Sequence, residues 1–329
     1  MAISIEEILR QIPPETEDMV NRALKEFRPR IQEILRDESR LYLRRPRDNG
    51  NQDAAKSSTQ VPVHVKEGLP EVLQDFKLPP DIDPIVILIA SFRVHLERAS
   101  KGLHGLEPLI HKLARDPRGE DLLAGREHNI PPVRELLAQL LHQIRDIDLG
   151  RLILGVNEDV LGAYIFRLPS PSIFEEPGRG SRIELYWAVI GLFAYQLDIS
   201  VEDLTVVVLA HEFAHAYTHR GIDIAGFTWD DEAFAKSDKR LKEGLAQYYT
   251  HVIASHLDRF RPGIFKAYES LLEKQPPDYH AHLPWVNACD KEALRNTMVE
   301  ERRQRIGSLD HFNDAIGKAN DRLGKRTKM

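Results

Sequence analysis

One cysteine, Cys289, is all that the 329 residues contain. An internal disulfide is therefore excluded, and so is any zinc site built on thiolates. His, Asp and Glu remain as the metal-binding side chains. Such a composition fits a reducing compartment, the cytoplasm. Long apolar runs are missing as well, since IVILIASF at 85–92 falls far short of the ~20 residues that a membrane-spanning helix needs. The opening MAISIEEILRQIPPE carries acidic residues where a signal peptide carries basic ones, and it has no long apolar core. Nor does one sign of charge dominate: the formal net charge is -6, with acids and bases mixed along the chain. That mixture excludes the basic stripe by which proteins hold nucleic acid. The expectation is a protein with neither nucleic-acid nor membrane partners, long enough to bury a core without covalent staples.

Residues 4–43 read as helical, with Pro13, Pro14 and Pro29 interrupting and Leu24, Phe27, Ile31 and Ile34 at helical spacing. RRPRDNGNQDAAKSSTQ, at 44–60, has the composition of a linker. Further helices are expected from Val61 to Gly150, among them 83–100 and 131–147. The second carries Leu136, Leu137, Leu140, Leu141 and Ile144 as a stripe facing a core. Around Gly150 the texture changes. RLILGV (151–156), GAYIF (162–166) and RIELY (182–186) are short runs bounded by Gly, Pro and Ser, and are candidate strands. RLPSPSIFEEPGRGS separates the last two as a loop. Helices are then expected over 187–197, 201–219, 238–258 and 288–322, and the closing GKRTKM reads as a frayed basic tail.

The chemistry concentrates in TVVVLAHEFAHAY, residues 205–217. Buried polar side chains destabilise a fold unless something satisfies them, so His211, Glu212 and His215 require a partner. Ser200, with Asp203 three residues on, has the pattern of a capping box that starts the helix, and Gly221 ends it. Four residues apart on a helix, His211 and His215 emerge from one face a turn apart, and both imidazoles can converge on one Zn²⁺ at about 2.0–2.1 Å. Glu212 points beside the metal rather than at it, where it can take a proton from an activated water. A catalytic zinc site usually has a third protein ligand. Glu243, in KEGLAQYY at 242–249, is the candidate, on a helix whose apolar side holds Leu241, Leu245, Tyr248 and Val252. Gly244 beside it weakens a helix by about 1 kcal/mol relative to alanine. Close approach of another helix, the motif helix first of all, would account for it.

HEFAH followed by EGLAQYY on a second helix resembles the gluzincin metallopeptidases, over about residues 150–255. The resemblance implies that His211 and His215 are zinc ligands, Glu212 the general base and Glu243 the third ligand, with one Zn²⁺ per chain. It also implies a small sheet before the active-site helix whose edge strand, GAYIF or RIELY, pairs with an extended peptide. The spacer at 216–242 is somewhat longer than in the best-known members, so an extra loop containing Trp229 is expected. The other large zincin group requires glycine at 218 and histidine at 221, where this chain has Thr218 and Gly221. The expected fold class is thus α+β, mostly helical, with a small zincin-like β-sheet preceding the active-site helix. Its parts would be an N-terminal helical extension (1–44), a linker (45–61), a helical region (62–150), a zincin-like metallopeptidase core (151–260) and a C-terminal helical region (261–329).

Other polar residues near the motif are candidates for lesser roles. His219 lies about 12 Å along the axis from His211, too far to share its ion. Asp223 and Asp230, with Asp231, are candidates to accept the second N–H of a ligand histidine. His280, His282 and Tyr248, with Tyr249 and Tyr279, are candidates to stabilise an oxyanion. The expected function is an intracellular zinc metallopeptidase acting on a peptide or protein substrate, with the helical flanks shaping access or recruiting a protein partner. The alternatives are a helical interaction or regulatory protein on the same scaffold, and a hydrolase of a non-peptide substrate. Glu212 weighs against the scaffold role, because a structural pair of histidines needs no base beside it.

Overall fold

Val201–Arg220, the helix that carries HEFAH, begins where the capping pattern predicts and is buried along its whole length save Glu202 and Arg220. In the computed structural model, which describes residues 5–10, 12–43, 61–74, 96–102, 130–143, 149–154, 160–166 and 181–326, other elements surround it. Ser200 Oγ accepts the Asp203 N–H at 3.3 Å. The Asp203 carboxylate does not complete a reciprocal box. It takes Arg261, which also donates to Ser200 Oγ. At the far end, a Cβ on Gly221 would lie 2.3 Å from the Tyr217 carbonyl oxygen and 2.7 Å from Leu41 Cβ, so only glycine lets the chain leave there. A helix apolar on every face must be enclosed on every face.

The helix Glu15–Ser39 supplies much of that enclosure. Val20, Ala23, Phe27, Ile31 and Leu35 recur every three or four residues on its buried face and join the same apolar cluster as the motif helix. Each such large side chain removed from water contributes about 1.5–3 kcal/mol. Tyr217 O–H donates to the Gln32 carbonyl at 3.0 Å, and Tyr42 forms an antiparallel bridge with Ile222. Residues expected to form an extension therefore wall the motif helix directly. Pro29 does not interrupt: it sits inside the helix at an exposed position, where the only loss is one backbone hydrogen bond on the solvent side.

Three described strands, β1 (Val63–Lys66), β2 (Gly162–Ile165) and β3 (Arg182–Tyr186), form one mixed sheet in the order β1-β3-β2. β2 and β3 are the strands read from GAYIF and RIELY. They pair antiparallel, Gly162 opposite Leu185, and among the described residues β2 lies at the sheet edge, against the motif helix. β1 pairs parallel to β3, within a region expected to be helical. VHVK is too short to show its period, and its partner is far along the chain. RLILGV is not a strand: Leu149–Leu154 is helical. Leucine and arginine favour a helix at least as well, and a short apolar run is ambiguous between the two states.

Further helices pack into the same described core, among them Trp187–Leu197, Lys239–Leu257, Ile264–Leu272 and the short Leu283–Ala288. The last two were not expected. The single helix expected over 288–322 is two, Lys291–Gln304 and Leu309–Arg326. Arg305 and Gly307, both at positive φ, separate them, and Gly307 is pressed against Ser237. The helix expected at 131–147 is described over Ile130–Gln143; 144–147, with Ile144 of the expected stripe, lie outside the described residues. Its leucines do not form a buried stripe, for Leu136 is 55% exposed and Leu137, Leu140 and Leu141 are only half-buried. Residues 44–60, 83–95 and 167–180, which include the expected linker, most of the helix at 83–100 and the expected loop, lie outside the described residues. Over the described residues the fold is mostly helical with one small sheet, an α+β arrangement. Among the described residues no helix is long and apolar enough to cross a membrane.

Candidate metal centre and cleft

The motif helix and the helix Lys239–Leu257 pack along each other, and their contact brings three ligand atoms together. His211 Nε2 lies 3.1 Å from His215 Nε2. Glu243 Oε2 lies 3.2 Å from each. All three residues are buried. Lone pairs held so close repel unless a proton or a cation sits among them, and one cation contacts all three at once. At Zn–ligand distances of about 2.0–2.1 Å, a triangle with these edges subtends roughly 100° between ligands, close to tetrahedral. The donor set therefore fits Zn²⁺. Burial alone would raise the Glu243 carboxyl, but His215 and His211 outweigh it through charge and hydrogen bonds and hold it far below the carboxylate range. Among the described residues no other set of three His, Cys, Asp or Glu side chains converges in this way.

Glu212, also buried, turns from the triangle into a cleft of roughly 360 Å³, open mouth included, which it lines beside His211. Leu161 and Gly162, at the start of β2, form one side. Tyr279 stacks on the His211 ring, centroids 5.5 Å apart and 19° between planes. Tyr268 reaches the cleft from Ile264–Leu272 and bonds His282 Nε2 at 2.6 Å. His282 Nδ1 meets the Tyr279 carbonyl at 2.8 Å. A carbonyl only accepts, so Nδ1 carries the proton and Nε2 accepts from the phenol. Burial holds this imidazole down at about 4, and therefore neutral at pH 7.

Several candidates stand elsewhere. Asp223 accepts the N–H groups of Ala225 and Phe227 and an ion pair from Arg303, and so braces a turn rather than a ligand histidine. Asp230 caps the short helix Asp231–Lys236. Asp231 does accept from a histidine, but from His219 Nε2 at 3.0 Å. His219 is fully buried, takes a hydrogen bond on Nδ1 from Tyr164 and stacks on Phe234. Burial, with Arg220 and Arg302, holds it at about 3. Its role is to tie β2 to the end of the motif helix. His280 turns to the Leu272 carbonyl and is not among the cleft residues. Tyr248, raised to about 12 by burial and by the charge of Glu38, lies on the side of its helix away from Glu243. Tyr249 is fully buried against Met298. Gly244 is approached by Trp285 and Ala281 rather than by the motif helix. The predicted residues brought together are thus His211, Glu212, His215 and Glu243, with Tyr279 on the His211 ring and His282 behind Tyr268.

Tyr268, Gln247 and Thr250 also line the cleft and are not among the candidates read from the sequence. The last two carried a signal, since they follow Glu243 by four and seven residues and so share its helix face. Tyr268 sits on a helix that was not expected. No family model, curated protein or solved structure matches the chain.

Proposed function

We propose that the chain is a zinc-dependent hydrolase of the gluzincin type that cleaves peptide bonds. One observation carries this reading: His211, His215 and Glu243 converge to within 3.2 Å of one another beside a cleft lined by Glu212. Zn²⁺ held there would polarise a carbonyl and make water a stronger acid. Glu212 takes the proton of the attacking water and returns it to the departing amine. Tyr279 keeps the His211 ring in plane by stacking on it. β2 supports a peptide rather than a compact substrate, because an edge strand beside the cleft can pair with an extended backbone. The helical flanks then shape access to that edge or engage a protein partner. A purely structural metal scaffold would leave the cleft-facing carboxylate of Glu212 without a task.

The test combines metal analysis with one substitution. The purified protein should bind one zinc per chain, and Glu212→Gln should keep the metal while hydrolysis of a peptide library falls about 10²–10⁴-fold, the usual worth of a general base. Failure to bind zinc on addition would remove the basis of the proposal.

A further inference from the structure

Next to Glu212 the cleft is walled by Val207, Val208 and Leu271 and by Gln247, Thr250 and Gln275. Gln247 and Thr250 stand about one and two turns beyond Glu243 on the same helix face, so this part of the cleft opens from the ligand set. Its polar atoms have a common character. Thr250 O–H donates to the Ala246 carbonyl at 2.7 Å, which leaves the hydroxyl oxygen free to accept. Tyr268 O–H is committed to His282, which leaves the phenolic oxygen likewise. Gln247 Nε2 donates to Gln275 Oε1 at 2.9 Å. Gln247 Oε1 is then buried with no hydrogen-bond partner among the described residues. Gln247 itself is only 3% exposed. A buried acceptor left without a donor is destabilising, so the site favours a ligand that brings N–H or O–H groups. No lysine, arginine or aspartate is among the described residues lining the cleft. A cationic ligand group would face the zinc site with only Glu212 to offset it, whereas a neutral donor meets no such cost.

We propose that this part of the cleft is a specificity subsite for a side-chain carboxamide, asparagine or glutamine, next to the scissile bond, an inference that rests on the peptidase reading above. The ligand's NH₂ donates to Gln247 Oε1 and to the oxygen of Thr250 or Tyr268. Its carbonyl accepts from Gln275 Nε2, and its methylenes pack on Val207, Val208 and Leu271. A site built to hydrogen-bond a polar group discriminates strongly against an analogue that lacks it, because the site's own groups are then left unpaired.

Four peptides that differ only at this position, carrying Gln, Met, Glu or Lys, test the proposal in two ways with the zinc-loaded full chain. Rates are compared as kcat/KM for the wild type, and affinities by fluorescence anisotropy for Glu212→Gln. The Gln peptide should exceed the Met peptide by at least about tenfold in both. Gln247→Met should erase that preference, and Gln247→Glu, which places a carboxylate at the same point, should transfer it to the Lys peptide. Should Gln247→Met fail to fold by circular dichroism, Thr250→Val replaces it and should narrow the same ratio. Cleavage by the wild type with equal rates, or with preference for Met, overturns the subsite while leaving the hydrolase reading intact. If the wild type cleaves none of a broad peptide library and Glu212→Gln binds none of the four, the peptidase reading fails and the subsite fails with it.

Discussion

Gly162 of β2 faces Glu212 across a gap that only a glycine leaves open. A Cβ there would lie 3.2 Å from Glu212 Cγ, 2.7 Å from Val208 Cγ1 and 3.2 Å from Leu185 Cδ2. The strand therefore sets how closely the sheet edge approaches the proposed base. Its φ is not positive, so the constraint is steric contact rather than backbone conformation.

Gly162→Ala should push β2 off the motif helix and displace Glu212. We expect a loss of about 1–3 kcal/mol in urea unfolding, typical of an overpacked core, together with a lower kcat against peptides. Unchanged unfolding and turnover would mean that strand and helix separate at no cost.

Glu243→Ala removes one corner of the ligand triangle and leaves two histidines. Zinc at 100 times its Kd raises apparent stability by about 2.7 kcal/mol, so the wild type should melt higher with zinc than after chelation. In Glu243→Ala most of that difference should vanish. An equal zinc-induced rise in both proteins would dismiss Glu243 as a ligand.

Gly244 tests the packing behind the site. Alanine would gain about 1 kcal/mol in helix propensity, but its Cβ would come within 2.8 Å of Trp285 Cη2 and 3.2 Å of Ala281 Cβ. Trp285 is fully buried, so overpacking of about 1–3 kcal/mol should outweigh the gain. Chemical denaturation of Gly244→Ala should show a lower midpoint; a higher one would mean that the indole moves aside freely.

Asp223 sets a pH dependence away from the proposed metal site. Burial alone would raise its carboxyl, but the hydrogen bond and charge of Arg303, with the N–H groups of Phe227 and Ala225, hold it below the ordinary carboxylate value. The group binds its proton less readily folded than unfolded. Its stabilisation is therefore complete above the unfolded value, about 3.9, and is lost as pH falls through the lower folded value. Asp223→Asn should be less stable than the wild type by about 1–3 kcal/mol at pH 7, with the gap closing below about pH 4. Urea midpoints at pH 7 and pH 3 compare the two, and a gap equal at both would refute the assignment.

By itself the sequence determined what is local. Helical periodicity sets His211 and His215 on one face, Ser200 marks where their helix begins, and β-rich GAYIF and RIELY are strands in the folded chain. Each depends on residues within a turn or a few positions, where backbone geometry leaves few choices. What lies between elements required the tertiary structure. VHVK is a strand because β3 lies beside it. Asp223 and Asp230 look like partners for the histidines in sequence, yet Arg303 and a helix N-terminus claim them. Glu243 reaches His211 and His215 because two helices pack face to face, and the same packing sets Gln247 and Thr250 along the cleft. Periodicity names the face a residue occupies, but only the packing of the whole chain decides what that face meets.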